Sequence, residues 1–232
     1  ITWIKANLTS DVPTTIELQP GTHSGFVIDR PNISIIGITS DTPDQRSVII
    51  NSSILISLPS AGGSAQIDFI NLQNFIVNTD SIANTRSIEV SGSYSYSLNI
   101  RNVSVLTSSN GQCLFLNGAG TSLNVDECFF NSTNSSTGAI GLNVGAMPSF
   151  RGNTVSNYGV SIMSSLSSLP DVSFNTFNNT LGSTDPLISL LTAGNNYFTG
   201  NTFNGSNAAG VVANTSGINT YLISNVAANG GS

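Results

Sequence analysis

Short runs of alternating apolar and polar residues return along this chain at a nearly constant interval. One set reads Leu72-Gln73-Asn74-Phe75-Ile76-Val77, Ile100-Arg101-Asn102-Val103-Ser104-Val105, Val125-Asp126-Glu127-Cys128-Phe129-Phe130 and Phe150-Arg151-Gly152-Asn153-Thr154-Val155. It continues as Val172-Ser173-Phe174-Asn175-Thr176-Phe177, Phe198-Thr199-Gly200-Asn201-Thr202-Phe203 and Leu222-Ile223-Ser224-Asn225-Val226-Ala227. The last residues of these strings are 28, 25, 25, 22, 26 and 24 positions apart. A second set keeps the same pace: Ile88-Glu89-Val90, Leu114-Phe115-Leu116, Ile140-Gly141-Leu142, Val160-Ser161-Ile162, Ile188-Ser189-Leu190 and Val211-Val212-Ala213. Alternation with a period of two is the signature of strands with one buried face. Two strand series sharing one period predict a repeat architecture.

Repeats of about 25 residues, with short strands and turns rich in Gly, Asn and Ser, suit a solenoid in which each coil pairs with the next through parallel strands. The fold expected is all-β: a right-handed parallel β-helix of roughly eight to nine coils, with about 25 residues per coil. Equivalent side chains would then stack about 4.8 Å apart. One interior column would hold Val77, Val105, Phe130, Val155, Phe177, Phe203 and Ala227, and a second Val90, Leu116, Leu142, Ile162, Leu190 and Val212. Asn153, Asn175, Asn201 and Asn225 recur at one position in four successive strings, which predicts an asparagine ladder at an inward turn. A leucine-rich repeat shares the period, but no L-x-x-L-x-L-x-x-N string occurs. A β-sandwich is the remaining alternative.

The sequence reads as a single β-helix domain over 1–232, with an N-terminal cap at 1–12, irregular early coils at 13–76 and regular coils at 77–227. The early strands are Thr15–Leu18, Phe26–Ile28, Ile33–Ile38, Val48–Ile50, Ile54–Leu58 and Ile67–Ile70, with a turn at Gln19-Pro20-Gly21-Thr22. Ile38 and Val77 stand 39 residues apart, so an early coil carries an insertion. The tail from Ala227 to Ser232 is a poor cap, so either the sequence stops early or a partner covers that end.

Composition narrows the role. Only 8% of the 232 residues are charged, with 6 Lys/Arg against 12 Asp/Glu and a net charge of −6. No basic patch can neutralise a phosphate backbone, so nucleic acid is not an expected partner. No apolar run is long enough to span a membrane. The polar surface must come from 37 Ser, 22 Thr and 29 Asn. Such a neutral, hydroxyl-rich surface, with an opening Ile1-Thr2-Trp3 that reads as processed, suits an extracellular, cell-surface or virion location. Sequons at Asn7, Asn32, Asn51, Asn102, Asn131, Asn134, Asn178, Asn204 and Asn214 are glycosylation candidates. Cys113 and Cys128 are the only cysteines. They read as two small buried hydrophobes or as a single disulfide, and less readily as a reactive thiol.

The segment Thr15-Ile16-Glu17-Leu18-Gln19-Pro20-Gly21-Thr22-His23-Ser24-Gly25, followed by Asn32-Ile33-Ser34-Ile35-Ile36-Gly37, resembles the opening coils of pectin-lyase-like right-handed β-helices. Phe150-Arg151-Gly152-Asn153 and Phe198-Thr199-Gly200-Asn201 are similar to the F-x-x-N repeats of polymorphic outer-membrane proteins and other β-helical adhesins, whose partner motif is echoed in Gly138-Ala139-Ile140. The resemblance implies the fold along nearly the whole chain. The same architecture serves sugar lyases and hydrolases, phage tailspikes, capsid or spike proteins and adhesins.

Catalytic patterns of those enzymes are missing. There is no Asp-Asp pair and no Arg-x-Lys, and the single histidine, His23, reads as a turn residue. Asp68, Glu89 and Asp126 are the nearest calcium candidates, with Glu89 facing outward and away from Asp126. Asp126-Glu127 reads as a solvated turn, and Arg101 and Arg151 as a solvated or salt-bridged surface pair, the alternative being a contact to a sugar acid. Tyr94, Tyr96 and Leu98 share one face, read as core rather than contact. The expectation is a non-enzymatic structural protein acting in assembly or attachment. Its partners would be other protein subunits, in a homo-oligomer or a virion or surface assembly, or a glycan, and no cofactor is expected. The alternative is a polysaccharide lyase, a glycoside hydrolase or a glycan-binding module of the same fold.

Overall fold

The structure is a computed structural model, and it describes residues 12–38, 48–58, 68–83, 85–92, 94–107, 111–132, 138–157, 160–164, 169–179, 188–190, 195–205, 212–214 and 219–228. The chain winds as a right-handed parallel β-helix. Every pairing between its strands is parallel, and each strand meets its equivalent one coil later.

Three faces run along the axis. The first begins with Thr14–Leu18 and Ile33–Gly37, the second with Gly21–His23 and Val48–Ile50, and the third with Phe26–Ile28 and Ile54–Ser57. Further along, a single long strand such as Phe69–Thr79 or Tyr96–Thr107 serves the first face, bends, and continues into the second. The bend is a single residue in the left-handed region. Asn74, Asn102, Glu127, Gly152, Phe174, Gly200 and Ser224 occupy this corner in successive coils, with φ between 50° and 63°.

The second-face interior column is continuous. Val77 pairs with Val105, then Phe130, Val155, Phe177, Phe203 and Ala227 follow in register. Val77 to Phe177 are fully buried and Phe203 is 3% exposed. On the first face Phe150 packs between these rows, stacked on Phe130 at 6.4 Å and on Phe177 at 6.4 Å, and Phe177 lies 5.2 Å from Phe203. Offset parallel rings at these distances gain beyond their burial. The first-face column through Ile35, Leu72, Ile100, Val125, Phe150, Val172 and Phe198 is equally dry.

Three sequence expectations are corrected. Val90, Leu116 and Leu142 share a column, but its next members are Ser164, Leu190 and Asn214. Ile162 and Val212 belong to the neighbouring column of Ile88, Leu114, Ile140 and Ile188. A slip of two residues preserves the inward parity, so alternation alone cannot detect it. Val77 aligns with Ile50, not Ile38, and the long coil joins Ile35 to Leu72. Their outward neighbours Ser34 and Asn71 are 37 residues apart. Gly21–His23, read as turn and turn residue, forms a strand in register with Val48–Ile50. His23 therefore extends the second-face interior column, at its N-terminal end, with Nε2 2.9 Å from Gln19 O.

The cap expected at 1–12 lies outside the described residues except for Val12, which is 50% exposed. At the other end Leu222, aligned with the inward Phe198, is 57% exposed, and Val226 is 59% exposed. Tyr96 and Leu98 are buried, while Tyr94 packs against the core and donates its hydroxyl to Asp68. No helix among the described residues is long and apolar enough to cross a membrane.

Candidate functional site

The residue after each left-handed corner turns inward. In four coils it is Asn153, Asn175, Asn201 and Asn225, spaced by 22, 26 and 24 residues. Asn175 Oδ1 accepts from both the backbone N–H and Nδ2 of Asn153, at 2.8 and 3.1 Å. Asn201 and Asn225 repeat that pattern toward the C-terminus. The second Nδ2 hydrogen of each goes back to a carbonyl of the preceding coil, as from Asn175 to Phe150 O at 2.8 Å. Both hydrogens and the acceptor of Asn153, Asn175 and Asn201 are thus used, which is what burial demands. The corner needs φ > 0 to turn this side chain inward while the strand continues.

Cys128 holds the ladder position one coil earlier. Its backbone N–H donates to Asn153 Oδ1 at 2.8 Å, and its thiol approaches Ile100 O at 3.6 Å and Asp126 O at 3.2 Å. Burial pushes this thiol up to about 12. Cys113 is also buried, with its sulfur near Val105 O at 3.6 Å. Each sulfur approaches its own backbone carbonyl, and the two cysteines are not joined in this structure.

Outside the corner lies a shallow hollow of about 390 Å³. Arg101, Asp126, Glu127, Ser149, Arg151 and Phe174 line it. Three consecutive coils supply the charges: Arg101, Asp126 and Arg151 are in register on the outer side of the first face. Arg101 Nε donates to Glu127 Oε2 at 3.2 Å, Ser149 Oγ to Asp126 Oδ1 at 2.8 Å, and Arg151 Nε to Asp171 Oδ2 at 2.5 Å. Asp171 also accepts from Ser173 at 2.7 Å and holds Arg151 above its usual pKa range. Phe174 forms the remaining wall, with 69% of its surface exposed. Farther along the same face Tyr197 and Tyr221 stack at 4.7 Å, both partly exposed. On the N-terminal side the outward row is neutral: Asn124 donates to Asn99 at 2.9 Å, Asn99 to Asn71 at 2.8 Å, and Asn71 to Ser34 at 2.9 Å.

The calcium candidates are not brought together. Asp68 is buried between Asn32 and Tyr94, with Asn32 Nδ2 donating at 3.0 Å. Glu89 pairs with Arg86 at 2.6 Å, and the Arg86 guanidinium lies 3.4 Å from the Phe115 ring centroid. No group of three or more His, Cys, Asp or Glu among the described residues could hold a metal ion.

Of the sequon asparagines with described side chains, five lie at or near the surface and one is inside. Asn51 and Asn102 are exposed, and Asn102 donates to Asn74 Oδ1 at 3.0 Å. Asn131, Asn178 and Asn204 are half-buried on the outer side of the second face, where Asn204 donates to Asn178 and Asn157 to Asn131, both at 2.8 Å. Asn32 is only 9% exposed. Asn7 and Asn134 lie outside the described residues, and Asn214 ends the strand Val212–Asn214.

Sequence reasoning placed Arg101 and Arg151 at equivalent positions but missed Phe174 and Asp171. The signal was present: the residue before the ladder asparagine is Gly152, then Phe174, then Gly200. An aromatic residue where glycine recurs is an exception that an alignment of the repeats exposes. No family model, curated protein or solved structure matches this chain.

Proposed function

We propose that this chain is a non-enzymatic β-helical protein of the cell exterior or a virion surface, acting in assembly or attachment and carrying N-linked glycans. The observation that carries the reading is the state of the acids in and beside the outer hollow. Asp126 is bonded by Ser149, Glu127 by Arg101, and Asp171 by Arg151 and Ser173. A glycosidase needs two carboxyl groups directed at one bond, one to protonate and one to attack or activate water. Here each acid is directed at a neighbouring side chain, and the rigid stack behind them is suited to presenting a surface. Low charge removes the repulsion that would oppose packing beside other subunits.

The test is direct. Incubated with polygalacturonate and with neutral polysaccharides, the full chain should release no new reducing ends and no unsaturated product absorbing near the ultraviolet edge. Light scattering over a concentration series should show self-association, or the chain should be retained by one of the polysaccharides. Steady bond cleavage overturns the reading, as does a monomer that none of them retains.

A further inference from the structure

Phe174 is an outlier twice over. Its φ is 57°, a left-handed conformation that bulky side chains rarely adopt. Its neighbours along the corner column, Gly152 and Gly200, share that conformation at no such cost, with φ of 63° each. The ring also gains little from the fold, since 69% of the residue remains exposed. It lies across the next coil, so close to Gly200 that a Cβ there would stand 2.8 Å from Phe174 Cε1. Backbone strain of this kind clusters at ligand clamps and other functional surfaces.

The surroundings indicate a ligand. The ring closes a hollow whose other walls present guanidinium N–H donors from Arg101 and Arg151 and carboxylate or hydroxyl acceptors from Asp126, Glu127 and Ser149. Exposed ion pairs like these add little stability. Its volume, about 390 Å³, falls in the range that holds small ligands. An apolar plate facing interleaved donors and acceptors is complementary to a sugar ring, which has a C–H face and a hydroxyl edge. Two arginines against Asp126, Glu127 and Asp171 leave the site without net positive charge, which disfavours an acidic sugar.

We propose that the hollow between Phe174 and the Arg101–Glu127 and Arg151–Asp171 pairs is a binding site for a neutral saccharide. This deepens the attachment reading by naming its ligand class. The sugar face would lie on the Phe174 ring and its hydroxyls would bridge Arg151 and Asp126. Chain extension toward the C-terminus would meet the Tyr197–Tyr221 stack on the same face.

The experiment is saturation-transfer NMR on the full chain with cellopentaose, chitopentaose, mannopentaose and trigalacturonate, followed by competition titration. The critical variant is F174G, which installs the residue already present at 152 and 200 and so keeps the corner foldable. At least one neutral pentasaccharide should bind, trigalacturonate should not, and F174G should weaken binding by about tenfold or more while melting at or above the wild-type temperature. The site is overturned if no neutral pentasaccharide binds, if F174G binds as tightly as wild type, or if trigalacturonate is the sole ligand. Cleavage of a bound pentasaccharide would count for the site while overturning the non-catalytic reading, so the two fail separately.

Discussion

Asn175 donates its Nδ2–H to Asn201 Oδ1 at 3.0 Å, and its backbone N–H reaches the same oxygen at 2.9 Å. One carbonyl oxygen therefore closes both the side-chain and main-chain links between two coils. In N175A, Asn153 loses the acceptor for two N–H groups and Phe150 O loses its donor, all in the interior. The expected cost is about 3 kcal/mol. N225A removes the same kind of link at the half-exposed end of the series, where water can replace it, and should cost about 1 kcal/mol. Urea denaturation of the two variants measures the gradient; equal costs would contradict it.

Cys128 should accept asparagine. Its backbone already donates to Asn153 Oδ1 and its side chain already faces Ile100 O, so C128N would lengthen the ladder by one rung. The variant should stay within about 1 kcal/mol of wild type, whereas C128D, with no hydrogen to offer Ile100 O, should be destabilised by about 3 kcal/mol. Thermal melts of both decide the matter.

The same thiol makes stability depend on alkaline pH. Its folded-state pKa of about 12 lies above the ordinary 9.0, so the folded protein holds the proton more tightly. That contribution is fully present below pH 9 and is lost as pH rises from 9 toward 12. Denaturation midpoints measured over that window should fall more steeply for wild type than for C128A. At pH 8 a maleimide should modify Cys128 at the rate of global unfolding.

Much of this architecture is legible in the sequence because its physics is periodic. Val105, Phe130, Val155, Phe177 and Phe203 announce their column by recurring at one phase of the repeat, and burial of that phase is what holds the coils together. Ile162 and Val212 were assigned to the wrong column because a two-residue slip leaves every side chain on the same side. The outer hollow was hidden for a different reason. Arg101, Glu127, Arg151 and Asp171 meet only through the phasing of four successive coils of unequal length, and Phe174 has no partner type that a pattern of apolar positions would seek.

Asn32 should carry no glycan in the folded protein. The residue is 9% exposed and its Nδ2 is bonded to Asp68, so a sugar on Nδ2 would break a buried contact. Expressed in a secretory host, the chain should show occupancy at Asn51 or Asn102, which are exposed, and none at Asn32 by glycopeptide mass spectrometry. A fully occupied Asn32 on a folded chain would contradict the placement.

Gly152 and Gly200 offer a matched pair. Both have φ of 63°, but a Cβ at Gly152 would find its nearest neighbour at 3.8 Å, against 2.8 Å from the Phe174 ring at Gly200. G152A should cost about 1 kcal/mol for the left-handed conformation alone. G200A should cost about 1 kcal/mol more, and that excess should vanish in the F174G background. Denaturant titration of the four variants tests the coupling.

The ladder has a consequence for how such a molecule can change over generations. Each interior amide relates to the next in the same way whether 22, 24 or 26 residues separate them. Excising one complete circuit between two ladder asparagines would bring equivalent neighbours together across the seam. Length along the axis can therefore be altered by tandem duplication or loss of whole circuits, with the cross-section left unchanged.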